Sequence, residues 1–144
     1  MLLYLRRWAA QGRKPNGDNA TTIFDLQRDR RHVVIYPATV DRYAITVAAP
    51  AVRMLAATAG SGTACAVPAE HATHGRRLLG LRPYQSDREP SWLNRPADAP
   101  PYPGPMELYL VLPGDEIHIV YRHDQLLLLT TVLTEITDRD NPDR

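Results

Sequence analysis

Three side chains in the last third of the chain are of the types that cleave RNA without a metal ion. Such a reaction needs a general base for the 2′-hydroxyl, a general acid for the leaving oxygen and a cation for the phosphate. His118, Glu107 and Arg122 are side chains of these types, and they are the candidate catalytic residues. The same residue types equally permit the binding of a partner without any reaction.

A larger set of side chains is predicted to bind a macromolecular partner, either a protein or an RNA. Some of them lie on the same stretch of sequence as the catalytic candidates, where aromatic, aliphatic and hydroxyl groups alternate with ionisable ones. The others are arginines, whose guanidinium groups suit phosphate and carboxylate contacts. The candidate binding residues are Tyr109, His118, Arg122, Leu129, Thr131, Arg53, Arg6 and Arg7.

His71 and His74, with Glu70 and Cys65 nearby, are the group of residues that most resembles a metal site. Imidazole and thiolate are zinc ligands, and residues three apart on a helix share a face. A structural zinc site normally has tighter and repeated spacing, and Gly75 would end this helix at once. We therefore predict no metal site, and no motif in the sequence indicates a cofactor.

The elements that would position these side chains are clearest at the C-terminal end. Residues 107–112, 117–122 and 126–136 are rich in β-formers, and they are predicted to form a three-stranded antiparallel meander. Pro113-Gly114 and His123-Asp124 are the expected turns. With two-residue turns, this register pairs Tyr109 with His118, and His118 with Leu129.

Side chains alternate between the two faces of a strand, so the register assigns each residue to one face. One face of the meander is almost wholly apolar and is predicted to be the core face, covered by a helix. The opposite face, called here the mixed sheet face, combines ionisable with aliphatic groups and is predicted to bind the partner. It carries Glu107, Tyr109, Val111, Glu116, His118, Val120, Arg122, Leu127, Leu129, Thr131 and Glu135. The alternative is that an N-terminal helix or a loop covers its aliphatic part.

The N-terminal half is predicted to contain a β-meander between short helices. Residues 2–10 are expected to form a helix, and residues 21–27, 32–36 and 43–47 are expected to form strands. A second helix begins at Pro50 and ends near Gly60, and a third spans residues 68–74. The predicted fold class is α+β, with an antiparallel sheet of about five to six strands and two or three short helices.

Length and composition favour a single domain over residues 1–144. Within it, residues 1–20 are an N-terminal helix and loop, residues 83–105 a surface loop with seven prolines, and residues 137–144 an acidic, frayed tail. Cys65 is the only cysteine, and no segment is typical of a signal peptide or a membrane span. A cytoplasmic location without a membrane partner is therefore expected.

Charge is distributed unevenly along the chain. Residues 1–60 hold nine basic and four acidic side chains, whereas residues 101–144 hold three basic and eight acidic ones. This asymmetry is typical of an anion-binding face at one end of a protein. Two solvated surfaces that partly neutralise each other in the fold would give the same pattern.

Ile117-His118-Ile119-Val120-Tyr121 and Leu128-Leu129-Thr130-Thr131-Val132-Leu133 follow a predicted helix that starts within residues 45–53. This arrangement resembles the RelE-like superfold of small ribonuclease toxins, over about half of the chain. The resemblance implies a sheet that meets RNA. Ala49 and Pro50 stand where active relatives often have a histidine, and this departure argues against activity.

The function that we expect is that of a small prokaryotic interaction protein of phage or plasmid type. It would be an inhibitor or accessory factor that binds a protein or a nucleic acid through the mixed sheet face. The alternative is a metal-independent ribonuclease toxin of RelE-like fold that uses His118 and Arg122. A third interpretation is a homodimer joined through the mixed sheet face.

Overall fold

The computed structural model describes residues 4–39, 41–84, 105–122 and 124–140. Within them, eight strands each pair antiparallel with the next, and the last pairs with the first, so that the sheet closes into an up-and-down barrel. The strands are β1 (Arg6–Arg13), β2 (Asn19–Leu26), β3 (His32–Pro37), β4 (Ile45–Ala48), β5 (Cys65–His71), β6 (Gly75–Pro83), β7 (Met106–Leu112) and β8 (Asp115–Tyr121). Helix α1 (Ala49–Ser61) joins β4 to β5, helix α2 (Asp124–Asp140) follows β8, and a 3-10 turn (Asp41–Tyr43) precedes β4.

Alternation along the strands fills the barrel with apolar side chains. In β7, Met106, Leu108 and Leu110 are buried inside, whereas Val111 is exposed on the outer face. The same period of two runs through β1 and β5. The most deeply buried large side chains are Tyr121, Phe24, Leu26, Ile45, Leu55, Leu81, Met106, Leu129, Leu133 and Ile136.

The two ends of the barrel are built differently. At the lower end, where the odd-numbered strands begin, α1 and α2 pack against each other and contribute buried side chains such as Leu55 and Leu129. At the upper end, the turns between strands surround the mouth of the barrel. These are the β1–β2, β3–β4, β5–β6 and β7–β8 connections.

Helix α1 confirms the predicted helix that begins near Pro50. Pro50 lies in the first turn, where a backbone N–H has no acceptor within the helix, so the missing N–H of proline costs no hydrogen bond. The helix ends at Gly62, whose left-handed backbone (φ 72°) lets its N–H donate to the Thr58 carbonyl at 3.0 Å. The predicted strands over residues 21–27, 32–36 and 43–47 correspond to β2, β3 and β4, with bounds shifted by up to two residues.

The predicted fold class, an open α+β sheet of five to six strands, is wrong, because the strands close into a barrel of eight. Residues 2–10 were predicted as a helix, but Arg6–Arg13 form β1. Its inward side chains are Trp8, Ala10 and Gly12, and the last two are too small to give a hydrophobic alternation. Residues 68–74 were likewise predicted as a helix and belong mainly to β5.

The third strand of the predicted C-terminal meander is also wrong, because residues 126–136 lie in α2. The buried side chains of this helix recur at helical spacing, and they are Leu126, Leu129, Val132, Leu133 and Ile136. Threonines favour strands by propensity. Here they are accommodated because their hydroxyls donate to carbonyls one turn back, as from Thr130 to Leu126 at 2.9 Å. His118 therefore has no strand partner at Leu129, whereas the predicted pairing of Tyr109 with His118 is confirmed.

Several predicted segments fall partly outside the described residues. Of the proline-rich loop predicted over 83–105, residues 85–104 are outside, and at its ends the Tyr84 N–H donates to the Pro105 carbonyl at 2.9 Å. Of the predicted tail, residues 137–140 continue α2 and residues 141–144 are outside. Within the described ranges, neither helix has the length and apolar character that crossing a membrane requires.

Candidate functional site

The junction between β1 and β8 is the narrowest in the barrel. Only Arg13 and Val120 pair across it, whereas β7 and β8 pair along their whole length. Gly12 permits this contact, because a Cβ at that position would lie 2.8 Å from Ile119 Cγ2 and 2.9 Å from the Val120 carbonyl oxygen. Below the pair, α2 lies along β1, and the Trp8 indole N–H donates to Glu135 at 2.8 Å.

Above the Arg13–Val120 pair the junction opens into a cleft of about 570 Å³, called here the seam cleft. One wall is the upper part of β8, from Glu116 to His118, and the opposite wall is the β1–β2 turn with the start of β2. The end of β3 and the segment that contains Arg42 and Tyr43 complete the lining at the mouth. The volume is in the range of small-ligand and peptide pockets.

The upper part of β8 is a strand edge that has a partner on one side only. Residues from Glu116 to Ile119 pair with β7, but in the described residues no strand pairs with them on the side of the seam cleft. In an antiparallel strand, every second N–H and C=O points away from a given neighbour. Glu116 is exposed, and Ile117 and His118 are half-buried. The seam cleft is therefore bordered by main-chain groups that can form further hydrogen bonds.

The outer face of β6, β7 and β8 carries a row of charged side chains that ends at this edge. Arg82 Nε donates to the buried carboxylate of Glu107 at 2.9 Å. His118 Nδ1 lies 3.2 Å from Glu107 Oε2, but the two groups are not oriented as a hydrogen bond requires. Nδ1 therefore has no hydrogen-bond partner among the described residues. His118 Nε2 lies within hydrogen-bond distance of Glu116 Oε2, at 2.9 Å. Both ring nitrogens of His118 thus face carboxylates.

Tyr109 holds this row in place. Its ring covers Gly80 on the neighbouring strand, where a Cβ would come within 2.1 Å of the ring. The Arg82 guanidinium lies 4.0 Å from the ring centroid, and the centroid of the stacked His118 ring lies 6.3 Å from it. Such cation–π and cross-strand contacts hold side chains in one rotamer. These contacts connect the side chains of the row from β6 to the edge of the seam cleft.

A second group of contacts fastens the segment that precedes β4 across the mouth. The Tyr43 hydroxyl donates to Asp115 Oδ2 at 2.5 Å, and Arg42 lies 3.4 Å from the same carboxylate oxygen. The hydrogen bond from Tyr43 lowers the pKa of Asp115 below its ordinary value of 3.8. His71 Nε2 lies 2.6 Å from the Arg42 carbonyl oxygen, and His71 Nδ1 accepts from the backbone N–H groups of Thr73 and His74. One wall of the seam cleft is thus held by several polar contacts.

Side chains of the described residues fill most of the upper half of the barrel. The space left among side chains of its upper half is about 20 Å³, which is room for about one water molecule. Lower down, the buried hydroxyls of Thr22 and Tyr121 share a hydrogen bond of 2.5 Å, and burial raises the pKa of Tyr121 above its ordinary value. A ligand of drug size does not fit in the space among the upper side chains.

Of the three candidate catalytic residues, the structure brings only two together. Glu107 and His118 are in contact on the outer face, whereas Arg122 follows β8 and its guanidinium lies 5.5 Å from the Tyr84 ring centroid. Four residues along a strand separate Arg122 from His118 by about 13 Å. Arg82, which was not among the candidates, is the cation that contacts Glu107.

The candidate binding residues are scattered over the molecule. Tyr109 and His118 are neighbours on the outer face, but Leu129 is buried in α2, and Thr131 is exposed on that helix. Arg53 is exposed on α1 at the lower end. The mixed sheet face therefore does not exist as predicted, because Leu127, Leu129 and Thr131 belong to a helix. Val111 and Val120 do lie on β7 and β8.

Arg6 and Arg7 lie at the beginning of β1, where they brace the barrel. Arg6 is 3.8 Å from Glu135 and 4.8 Å from the Trp8 ring centroid. Arg7 donates to both carboxylate oxygens of Asp25, at 2.7 and 3.0 Å, and this bidentate contact raises its pKa. Neither residue borders the seam cleft.

Apart from His118, sequence reasoning missed the residues that line the seam cleft, including Lys14, Asn16, Arg42 and Tyr43. A signal for one related residue was available: Arg82 and Glu107 carry opposite charges and pair directly across β6 and β7. It was missed because Gly75–Pro83, which form β6, were not predicted as a strand. The cleft itself depends on how far β1 is shifted along β8, and the sequence carries no local signal for that shift.

The residues considered for a metal site do not come together. Cys65 begins β5 at the lower end of the barrel and His71 ends it at the mouth, about 20 Å away along an extended strand. His71 and His74 stack with their ring centroids 4.9 Å apart. No group of three potential metal ligands occurs among the residues that the structure describes.

Comparison with known protein families, with curated proteins and with solved structures found no match to this chain. The resemblance to RelE-like toxins therefore stays an untested prediction. The segment Leu128–Leu133, on which it partly depends, lies in α2. The predicted phage-type, toxin-like and RNA-binding character has no support in the barrel fold or in the comparisons.

Proposed function

We propose that the protein is a non-catalytic binding protein that accepts an extended segment of a partner protein along the upper edge of β8. The observation that carries this proposal is the edge itself. From Glu116 to Ile119 the strand has a partner on one side only within the described chain, and a cleft of about 570 Å³ lies along its other side. The proposal keeps the expectation of an interaction protein and moves its binding surface from the mixed sheet face to the seam cleft.

Strand addition would use the same main-chain hydrogen bonds that join the strands of the barrel. A segment in the seam cleft would continue the line of β1 above Arg13 and would bond to β8 through main-chain groups. Four strand residues span about 13 Å, so the edge accommodates about four or five residues of the partner. Main-chain hydrogen bonds supply affinity for any extended segment, and the side chains around the cleft supply selectivity.

Two features support binding over catalysis. The ring nitrogens of His118 face Glu107 and Glu116, so neither is directed at a substrate. The guanidinium of Arg82 is bonded to Glu107 and covers the Tyr109 ring, so it is committed to the outer face. These contacts hold side chains in place beside the edge, which is a role suited to a docking surface.

A charged edge also prevents strands from pairing with unwanted partners. Lys14 and Pro15 stand opposite the upper part of β8 and are residues of the kind that protects an edge. Among the described residues they flank the edge without covering it, because the cleft lies between the two walls. This difference supports a docking site over a protected edge. A cytoplasmic location is part of the proposal, because Cys65 is a single free thiol.

The proposal is tested with a bead-displayed library of random heptapeptides and two tryptophan variants. Thr39 is exposed and lines the seam cleft, so Thr39→Trp would obstruct it. Thr131 is exposed on α2 at the other end of the barrel, so Thr131→Trp is the matched control. We expect wild type and Thr131→Trp to select the same peptides, and Thr39→Trp to lose them.

Three outcomes would contradict the proposal. One is that no peptide is selected, and another is that the selected peptides bind Thr39→Trp as well as they bind wild type. The third is a particle of twice the monomer mass in light scattering that Thr39→Trp converts to a monomer, because the edge would then be occupied by a second copy of the chain. This last result would establish the homodimer in place of a partner protein.

A further inference from the structure

We infer that the segment accepted by the seam cleft alternates apolar with acidic residues, an inference that rests on the proposed function. Two observations carry it. The first is that the two faces of an added strand would contact different surroundings, an apolar inner wall on one face and a polar rim on the other. The second is the charge of the cleft lining. The charged side chains that line the cleft are two cations, Lys14 and Arg42, and one anion, Glu116.

The inner wall of the seam cleft is apolar. Ile117 points to the barrel side of β8, in line with the buried Ile119, and Ala20 occupies the corresponding side of β2. Tyr43, which is 7 % exposed, closes this wall at the mouth. In a strand added beside β8, every second side chain would face these groups. Apolar residues of moderate size, such as valine, suit those positions because the interior below them is filled.

The other side of an added strand would face the polar rim of the cleft. Glu116 and His118 lie on the outer side of β8, and Lys14 and Asn16 lie in the β1–β2 turn opposite them. Glu116 is engaged by His118 at 2.9 Å, and Arg42 lies 3.4 Å from Asp115. The Lys14 ammonium forms no hydrogen bond or ion pair with the described residues. It is the only lysine of the chain.

An acidic side chain at the rim positions would pair with Lys14. A lysine at the same positions would be repelled by it. Solvent-exposed charge pairs are weak individually, so we expect a preference of about three- to tenfold for an acidic over a basic segment. The preference should decrease at high salt, because these charges are accessible to ions.

The test compares three fluorescent heptapeptides in which valine alternates with glutamate, serine or lysine. Binding is measured by anisotropy up to millimolar peptide, with wild type, Lys14→Glu and Arg31→Glu. Arg31 is exposed in the turn between β2 and β3 at the lower end, so Arg31→Glu changes the net charge equally without touching the cleft. Circular dichroism confirms that each variant is folded.

For wild type and Arg31→Glu we expect the glutamate peptide to bind best and the lysine peptide worst, and we expect Lys14→Glu to reverse this order. If all three peptides bind alike and Thr39→Trp abolishes the binding, the acidic preference is overturned while the proposed function stands. If none of the three peptides binds wild type, strand addition itself is overturned, and the inference fails with it. Reversal by Arg31→Glu as well would assign the preference to net charge and would also overturn the inference.

Discussion

The barrel has two narrow junctions, and they are completed in different ways. Between β4 and β5 only Ile45–His71 and Thr46–Glu70 pair, at the upper end. Below them α1 packs against β5, so the gap is filled by an apolar helix. Pro68 is tolerated there because it lies on the part of β5 that β4 does not reach, and its missing N–H breaks no bond to that strand.

At the junction between β8 and β1, a helix packs only below the single residue pair, Arg13–Val120. There α2 covers β1, and the Trp8–Glu135 hydrogen bond ties the two together. Above the pair lies the seam cleft, which has a polar rim and a free strand edge. At the β4–β5 junction the gap is filled by an apolar helix that belongs to the core. At the β8–β1 junction the upper gap has a polar rim and is not filled by the described residues. This difference is what makes the upper part of the β8–β1 junction the candidate site.

The largest effect is expected from shortening a side chain by which α2 fills the lower end. Leu129 is 1 % exposed and Leu127 is 67 % exposed, although a strand would have placed both on the same face. Leu129→Ala should lower the free energy of unfolding by about 2–5 kcal/mol. Leu127→Ala should change it by less than about 0.5 kcal/mol. Urea unfolding measures both, and equal losses would contradict the helix.

A smaller loss is expected from a methyl group at the β8–β1 pair. The Cβ of Gly12→Ala would press against backbone at Val120 as well as against side chains, so that it cannot be relieved by a rotamer change. We expect the free energy of unfolding to fall by about 1–3 kcal/mol. Gly60→Ala is the control, because no atom beyond its chain neighbours and the backbone of its own helix lies within 4 Å of its Cβ position in α1. Alanine should stabilise that helix by about 0.5–1 kcal/mol.

If Gly12→Ala proves as stable as wild type, β1 and β8 are not in close contact at Arg13 and Val120. The junction would then be open along its whole length. The comparison between its lower and upper parts would lose its basis.

The smallest effect is expected at the mouth, from the titration of Asp115. Because its pKa is lowered in the folded protein, the unfolded chain binds the proton more tightly. Its contribution to stability is therefore present above its ordinary pKa of 3.8 and is lost as the pH falls through the lowered value. The difference in unfolding free energy between wild type and Asp115→Asn should be constant at about pH 5–7 and should shrink below pH 3.8.

Asp29 has a pKa that is lowered in the same direction by the backbone N–H of Arg31 and by His32. It is present in both proteins, so its effect cancels in this difference. A difference that instead changes at about pH 6–7 would point to a histidine at the mouth and would contradict the role given to Asp115.

How much of the fold follows from sequence depends on whether the alternating positions carry large side chains. Leu108 and Leu110 alternate with Glu107 and Tyr109, and the Pro113-Gly114 turn sets their register, so β7, β8 and the outer face of Glu107, Tyr109 and His118 were predictable. In β1 the inward positions after Trp8 are Ala10 and Gly12, which give no such contrast. Small inward-facing residues let neighbouring strands approach closely. Because they are small, they produce no alternation of hydrophobicity by which the strand could be recognised in the sequence.

The segment 126–136 was misread for the opposite reason, because its pattern contains too many apolar residues. Leu127 and Leu128 are exposed, and four consecutive leucines suit either a strand or a helix. Threonine and valine shifted the interpretation towards a strand, although the buried set has the period of a helix. The seam cleft could not be predicted, because it is formed by strands that are far apart in sequence and by their shift along each other.

The most direct test of the open edge is amide hydrogen exchange along β8, measured by NMR with and without a selected heptapeptide. In the free protein we predict that amides from Glu116 to Ile119 alternate between slow exchange, where they bond to β7, and fast exchange, where they face the seam cleft. The amide of Val120 should be slow throughout, and the fast amides should become slow when the peptide is bound. Uniformly slow exchange from Glu116 to Ile119 in the free protein would contradict the open edge, and with it the proposed function.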